Sequence, residues 1–362
     1  MALFCHTIDL DTGLGSMLDP TQPMAIYLEG ALGLDIGKMG YGILRYSNNP
    51  IICVIDSNHA GKNVCNVIES PRDAPVVANL DEAIALGAKV LVLGTAPSGG
   101  IIPEAWRPVI AQAVAHGLSL VNGLHEPLAP QFPNCREGQV IWDIRQEPAN
   151  LKPGIGEARF MTNRRILMVG TDMAVGKMTA ALELQKSAQA KNIDVAFLAT
   201  GQIGISLSGA GVPLDAVRVD YASGAIEQEI LKYRDREWVI VEGQGSLVHP
   251  GSTATLPLLR GSMPTDLILC VRAGQRALER SMNVSIPIPP LPTLIRLYED
   301  LATMSGNFPA AKVRGIAVNS GHLTVEEARD HVVQITEETG LTTCDPVRDS
   351  AHVLVEAIIQ AS

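Results

Sequence analysis

From residue 25 onward, short apolar runs alternate with longer amphipathic stretches. Residues 25–29, 51–55, 89–93 and 118–121 are runs dominated by Val, Ile, Leu and Ala. They are too short for helices and end in turn-type sequence: Asp56, Gly94-Thr95-Ala96 and Asn122-Gly123. Each therefore reads as a buried strand. Between them, Asn79 and Glu82 have capping-box spacing ahead of a helix over 81–86. Pro103 opens a helix that runs to His116 and stops at Gly117. The first 24 residues carry little periodic signal. Strands alternating with helices predict βαβ units and a parallel sheet.

The pattern stops between residues 146 and 160, where Pro148, Pro153-Gly154 and Gly156 punctuate the chain. A domain boundary is expected there, giving domains over 1–157 and 158–362. The second half resumes the alternation. Strands are predicted over 166–169, 195–199, 238–241, 267–271, 313–318 and 343–347. Helices are predicted over 177–191, 223–234, 291–304, 324–339 and 350–359, with Thr324 and Glu327 in capping-box spacing. The proline-rich stretch 286–292 is expected to be an extended connection. No repeat of 20–50 residues occurs. The predicted class is α/β with two domains. The N-terminal one is a Rossmann-like parallel sheet, and the C-terminal one a P-loop NTPase-like doubly wound parallel sheet.

Composition sharpens this picture. Apolar residues make up 46% of the 362 but aromatics only 4%, so both cores must be packed with aliphatic side chains. The formal net charge of −10 argues against nucleic acid or an anionic membrane as partner. No apolar stretch approaches the ~18 residues of a membrane span, and no signal peptide is recognisable. The six cysteines lack metal-binding or redox spacing and read as reduced thiols. A cytoplasmic protein is expected, as a homo-oligomer, with C2 the commonest arrangement.

The strongest chemical signal is the segment Gly170-Thr171-Asp172-Met173-Ala174-Val175-Gly176-Lys177-Met178-Thr179. It follows an apolar strand and precedes a good helical sequence, the context of a phosphate-binding P-loop. Backbone N–H groups of such a loop and the helix N-terminus surround a di- or triphosphate, and Lys177 adds a point charge. Gly170, Thr171, Asp172, Ala174, Val175, Gly176, Lys177, Met178 and Thr179 are the candidate cofactor-binding residues. Two positions depart from the usual pattern. Thr171 stands where the first glycine is expected, and Met178 where a Ser or Thr normally holds Mg²⁺. Thr179, one position later, is rotated by about 100° around the helix. No metal ligand set is predicted.

Other candidates follow the later strands, at the carboxyl edge where open α/β sheets bind ligands. They are Gln202 in Thr200-Gly201-Gln202, Asp220, Glu242 in Val241-Glu242-Gly243-Gln244-Gly245-Ser246, and His249. Glu242 suits a base or a metal ligand; Asp220 suits a helix N-cap. Ser246 lacks the Gly-x-Ser-x-Gly context of a nucleophile. In the first domain Gly-x-Gly-x-x-Gly is absent. Asp56 nonetheless ends its strand where a ribose-binding acid would sit. Lys38, Arg45, Gly99, Gly100 and His125 are further candidates to line a cleft.

The motifs Gly-Thr-Asp-x-x-Val-Gly-Lys-Met-Thr, Thr-Gly-Gln-x-Gly-Ile, Asp-x-x-Ser-Gly-Ala-Ile-Glu and Val-Glu-Gly-Gln-Gly-Ser-Leu occur here in that order. In them the chain resembles the D-glutamate N-acetyltransferase-like family over nearly its whole length. That family, long known only as a domain of unknown function, joins a Rossmann-like domain to a P-loop domain. The resemblance implies transfer of acetyl from acetyl-CoA to the amino group of a small amino acid such as D-glutamate. On this reading Glu242 or His249 is the base, and Gln202 or the amides of residues 243–245 are oxyanion donors. The P-loop would hold the pyrophosphate of CoA. A more distant resemblance is to dethiobiotin synthetase, whose P-loop threonine and Val-Glu-Gly glutamate bind Mg²⁺. Glu242 matches that pattern and Met178 does not. This keeps a kinase or ligase using ATP with Mg²⁺ as the alternative, beside a non-catalytic nucleotide-binding protein.

Overall fold

The computed structural model describes residues 18–278 and 285–361. Most of the aperiodic N-terminal stretch, and Cys5 with it, lies outside the described residues. The chain divides into two units: Met1–Glu147 with Gln202–Ala216, and Pro148–Gly201 with Val217–Ser362.

The first unit carries β1 (Met24–Tyr27), α1 (Lys38–Tyr46), β2 (Ile51–Ile55), β3 (Val76–Val77), α2 (Leu80–Ala85), β4 (Val90–Leu93), α3 (Arg107–Ala115), β5 (Ser119–Asn122) and β6 (Ile141–Asp143). Among the described residues its six strands are all parallel, in the order β3-β2-β1-β4-β5-β6. This is the Rossmann order, with its topological switch between β1 and β4. Every residue of β1, β4 and β5 is buried. Such continuous burial is what strands covered on both faces require. Each fully buried Leu or Ile contributes about 1.5–3 kcal/mol. After Pro103 a short 3-10 turn, Glu104–Trp106, sets Trp106 edge-on to Tyr27, with ring centroids 5.4 Å apart. Asn79 caps α2 by accepting from the amide of Glu82. The Glu82 carboxylate returns to the amide of Ala78 rather than to that of Asn79.

The second unit carries β7 (Arg164–Gly170), α4 (Lys177–Ala190) and β8 (Val195–Leu198). The chain then enters the first unit as α5 (Gln202–Ser208), which packs on α1. It returns as α6 (Val219–Ile230), β9 (Trp238–Val241), α7 (Thr255–Ser262), β10 (Asp266–Arg272), α8 (Leu291–Thr303), β11 (Lys312–Asn319), α9 (Val325–Thr339), β12 (Thr343–Cys344) and α10 (His352–Gln360). The six strands are again parallel, in the order β12-β11-β10-β7-β9-β8. β7 is central, so its C-terminal end lies between those of β9 and β10. The capping box of Thr324 and Glu327 is complete. The extended connection ends sooner than expected, at Pro290, because Pro292 is accommodated in the first turn of α8.

The second unit begins at Pro148, inside the stretch 146–160 where the periodic pattern stops. The buried carboxylate of Glu227 on α6 accepts from the amides of Ile155 and Glu157, which ties this linker to the second sheet. The segment 202–216, expected in the second domain, belongs to the first unit. Asp220 does not cap α6 but lies in its first turn, with Arg218 at the N-cap.

Candidate functional site at the β7–α4 loop

The loop between β7 and α4 is held from below by side chains of distant elements. Tyr298 of α8 donates to the carbonyl of Gly170 at 2.7 Å, and Ser246 donates to that of Thr171 at 3.1 Å. The amide of Thr171 donates to the carbonyl of Cys270 in β10. The Asp172 carboxylate accepts from the amide of Met173 and, at 2.7 Å, from the side chain of Gln275. Gly170 is the cramped glycine of the loop. A Cβ there would lie 2.9 Å from Val175 Cγ2 and 3.1 Å from Lys177 Nζ. A side chain at Gly170 would press on Val175 and on the Lys177 ammonium, so the crowding falls one position before Thr171.

α4 opens without a side-chain cap, after Gly176 in a left-handed conformation at φ 95°. Its first amide N–H groups and the positive end of its dipole are therefore not neutralised by a side chain, as an anion-binding helix start requires. Lys177 is buried, and its Nζ donates to the carbonyls of Asp172 and Met173 at 2.7 and 2.8 Å. Burial pushes this ammonium down to about 8, against the opposing influence of Cys270, Asp172 and Glu242. Met173 and Ala174 are exposed at the loop tip, Val175 is buried beneath it, and Met178 and Thr179 are half-buried. A buried cation and an uncapped helix start fit a pyrophosphate.

Beside this loop, the Glu242 carboxylate accepts through Oε2 from the amides of Thr200 and Gly201 at 2.8 and 3.1 Å. The Thr200 hydroxyl donates back to the Glu242 carbonyl. Glu242 thereby fixes the turn after β8. Gly243 follows in the tightest space of the site, against Met168 of β7 and the Lys177 stem. His249 is also buried. Its Nδ1 accepts from the amide of Gly251 at 3.0 Å. In the neutral ring the proton therefore sits on Nε2, which makes that nitrogen a donor rather than a base.

The structure thus brings Glu242 to the phosphate loop and places His249 in the loop that follows Glu242. Gln202 sits in the first unit, where its Oε1 accepts from Arg145 at 2.7 Å. Asp56 is fully buried and its carboxylate accepts from the amides of Leu32 and Asn58. That structural duty occupies the acid expected to read a ribose. Tyr298, Gln275 and Arg145 carried no motif and were missed. Among the described residues no helix is long and apolar enough to cross a membrane, and no group of three acidic, His or Cys side chains is arranged to hold a metal.

A family model described as a domain of unknown function, DUF1611_C P-loop domain, matches residues 152–355. Its companion, the DUF1611_N Rossmann-like domain, matches residues 57–147. The chain belongs to the DUF1611 family. A crystal structure of a DUF1611 family protein from Anabaena variabilis is 46% identical and superposes with a TM-score of 0.90, covering 94% of this chain and all of that one. Two curated relatives are named D-glutamate N-acetyltransferase. The one from Pseudoalteromonas sp is 36% identical over 76% of this chain and 82% of its own length. The one from Tritonibacter scottomollicae is 38% identical over 77% and 84%. The gap between the two DUF1611 segments falls at residues 148–151, where the second unit begins.

Proposed function

We propose that this DUF1611 protein is an N-acetyltransferase that uses acetyl-CoA and acetylates the amino group of a small amino acid such as D-glutamate. The observation that carries this reading is the β7–α4 loop: a buried Lys177 and an uncapped helix start, but Met178 where a metal-binding hydroxyl would stand. The names of the two relatives supply the reaction class. In this reading the amides of residues 174–178 and Lys177 hold the pyrophosphate of CoA. The free amine of the acceptor attacks the thioester carbonyl, the C–S bond breaks as the amide C–N bond forms, and the proton lost from nitrogen ends on the departing CoA thiolate. Glu242 orders the turn after β8, and His249 offers its Nε2–H as a donor.

The test is a thermal-shift comparison of acetyl-CoA, CoA, ATP, and ATP with Mg²⁺. A ligand at a hundredfold its Kd adds about 2.7 kcal/mol to the native state. For units of this size that raises Tm by roughly 5–10 °C. The expected result is a shift with acetyl-CoA and CoA and release of free CoA when D-glutamate is added. A shift confined to ATP with Mg²⁺, accompanied by ADP release, would replace this reading by the kinase or ligase alternative.

A pH dependence follows from Lys177. Its ammonium is depressed to about 8 in the ligand-free protein, and an anionic pyrophosphate stabilises the charged form. Below about pH 8 the lysine is already protonated and affinity for acetyl-CoA is at its maximum. Above it, binding must take up a proton, so affinity falls by up to about tenfold per pH unit until the pKa of the complex is reached. Calorimetry in two buffers of different ionisation enthalpy reads this proton uptake directly. Affinity that stays flat from pH 7 to 9.5 would show that Lys177 does not meet the ligand.

A further inference from the structure

A second cluster lies in the first unit, at the carboxyl ends of β5 and β6. Arg145 follows β6 by two residues and His125 follows β5 by three. The Arg145 side chain is only 13% exposed. Its Nη2 donates to Gln202 Oε1 at 2.7 Å and lies 3.2 Å from Asp215 Oδ2. His125 Nε2 stands 3.9 Å from the same oxygen. Gly100, at φ 64°, allows this crowding: a Cβ there would lie 2.5 Å from His125 Cδ2 and 3.4 Å from Arg145 Nη1. Arg145 Nε is buried and, among the described residues, has no hydrogen-bond partner.

Nε and Nη2 share one edge of the guanidinium, the edge that grips a carboxylate through two parallel hydrogen bonds. Asp215 engages only the Nη2 half. A buried donor without a partner is unfavourable, and a two-point carboxylate would relieve it. The cluster also sets two basic side chains, Arg145 and His125, against one acid. The carboxyl ends of the strands are where open α/β sheets take ligands. An ion pair kept only for stability has no use for the orphaned Nε.

We propose that Arg145 and His125, with Gln202 as a positioning residue, form a binding site for a carboxylate group of the acidic acceptor, in which Asp215 holds the ligand's place; naming the ligand an acceptor rests on the acetyl-transfer reading. The incoming carboxylate displaces Asp215, which is 34% exposed in the 3-10 turn Leu214–Ala216, and closes the fork on Nε and Nη2.

The test uses the full-length protein and glutarate, a dicarboxylate with no amine to acetylate, with inorganic phosphate as the comparison anion. Glutarate is expected to bind the wild type in calorimetry. Arg145→Gln should weaken it about 10- to 150-fold, the worth of a charge-assisted contact. Arg145→Lys keeps the charge but not the fork, and should still weaken binding about tenfold or more. It also serves if Arg145→Gln does not fold, as judged by melting temperature. Asp215→Asn should act in the opposite direction and tighten glutarate severalfold, because the internal competitor loses its charge. If Asp215→Asn weakens glutarate as Arg145→Gln does, the cluster is a structural ion pair and the proposal falls. It falls equally if phosphate binds and glutarate does not. Acetylation of D-glutamate with a KM indifferent to Arg145→Lys would overturn the site while leaving the acetyl-transfer reading intact. Arg145-dependent glutarate binding without acetyl transfer would do the reverse.

Discussion

Replacing Gly243 by alanine is expected to destabilise the protein severely. The added Cβ would lie 1.7 Å from the carbonyl oxygen of Met168, 2.7 Å from its carbonyl carbon, and 3.0 Å from Lys177 Cδ. The first two atoms are backbone in the middle of β7, the central strand of the second sheet, and cannot swing away as a side chain could. Relief requires β7 and the chain leaving β9 to separate, which disrupts the ladder that pairs Leu167 with Val241. Damage on this scale belongs with the exceptional point mutations that cost about 4–5 kcal/mol or more. Against a typical total of about 5–15 kcal/mol that removes a third or more of the stability. Tm should fall by roughly 8–20 °C if soluble protein is recovered at all. Gly321→Ala is the matched control. The nearest atom to its new methyl is Asn319 Oδ1 at 3.8 Å, an ordinary contact, so its Tm should stay within about 2 °C of wild type. A Gly243→Ala protein that melts beside the control would show that β7 and the chain leaving β9 can separate at little cost.

Gly243 also shows what could be read from the chain and what could not. Its place after the apolar run 238–241 was legible, as were the buried strands around it, because four or five consecutive aliphatic residues leave few alternatives. The need for glycine there was not. The clash partner, Met168, is 75 residues away and is brought close only by the sheet order. The helices that went unrecognised have the same origin. α1 contains Gly40 and Gly42, α5 contains Gly204, and α7 contains Pro257 and Gly261. Local propensity opposes all three, and tertiary packing overrides it. Gly40, for example, lets α1 approach β4 closely enough for its amide to donate to the carbonyl of Gly94 at 2.8 Å. Ser223-Gly224 likewise looked like a helix start but lies inside α6. There Gly224 makes room for the carbonyl of Lys152, which would be 1.8 Å from a Cβ. β3 and β6, two and three residues long, were too short to carry a pattern.

The site divides in the same way. The phosphate loop was legible because strand, loop, lysine and helix are contiguous in sequence. The groups that hold its stem were not, since Tyr298 meets Gly170 across 128 residues and Gln275 meets Asp172 across 103. Glu242 and His249 were correctly seen as polar residues beyond a strand end. Their chemistry depends on which atoms are already engaged, and only the fold shows that Glu242 Oε2 and His249 Nδ1 each accept from backbone amides.

Lys177→Met is expected to weaken acetyl-CoA binding sharply while leaving the ligand-free protein about as stable as wild type. In the absence of ligand the ammonium sits in a buried pocket that lowers it from 10.5 to about 8. A depressed lysine means that the unfolded chain binds the proton more tightly than the folded one. Stability therefore rises with pH between about 8 and 10.5, and below about 8 the full cost, roughly 3 kcal/mol, is present. Two carbonyl contacts, to Asp172 and Met173, offset part of it. Methionine removes the buried charge at similar length; the Met173 carbonyl lies at the exposed loop tip, and the lost partner of the buried Asp172 carbonyl takes back part of the gain. Tm at pH 7 should hold. The shift on adding acetyl-CoA should shrink, and affinity should drop about 10- to 150-fold from the lost charge-assisted contacts alone. Function lost with stability kept is the pattern of a residue held at a cost for its ligand. A Lys177→Met protein that melts far below wild type would instead assign the lysine to holding the loop together. One that shifts with acetyl-CoA as wild type does would remove the phosphate loop from the cofactor site.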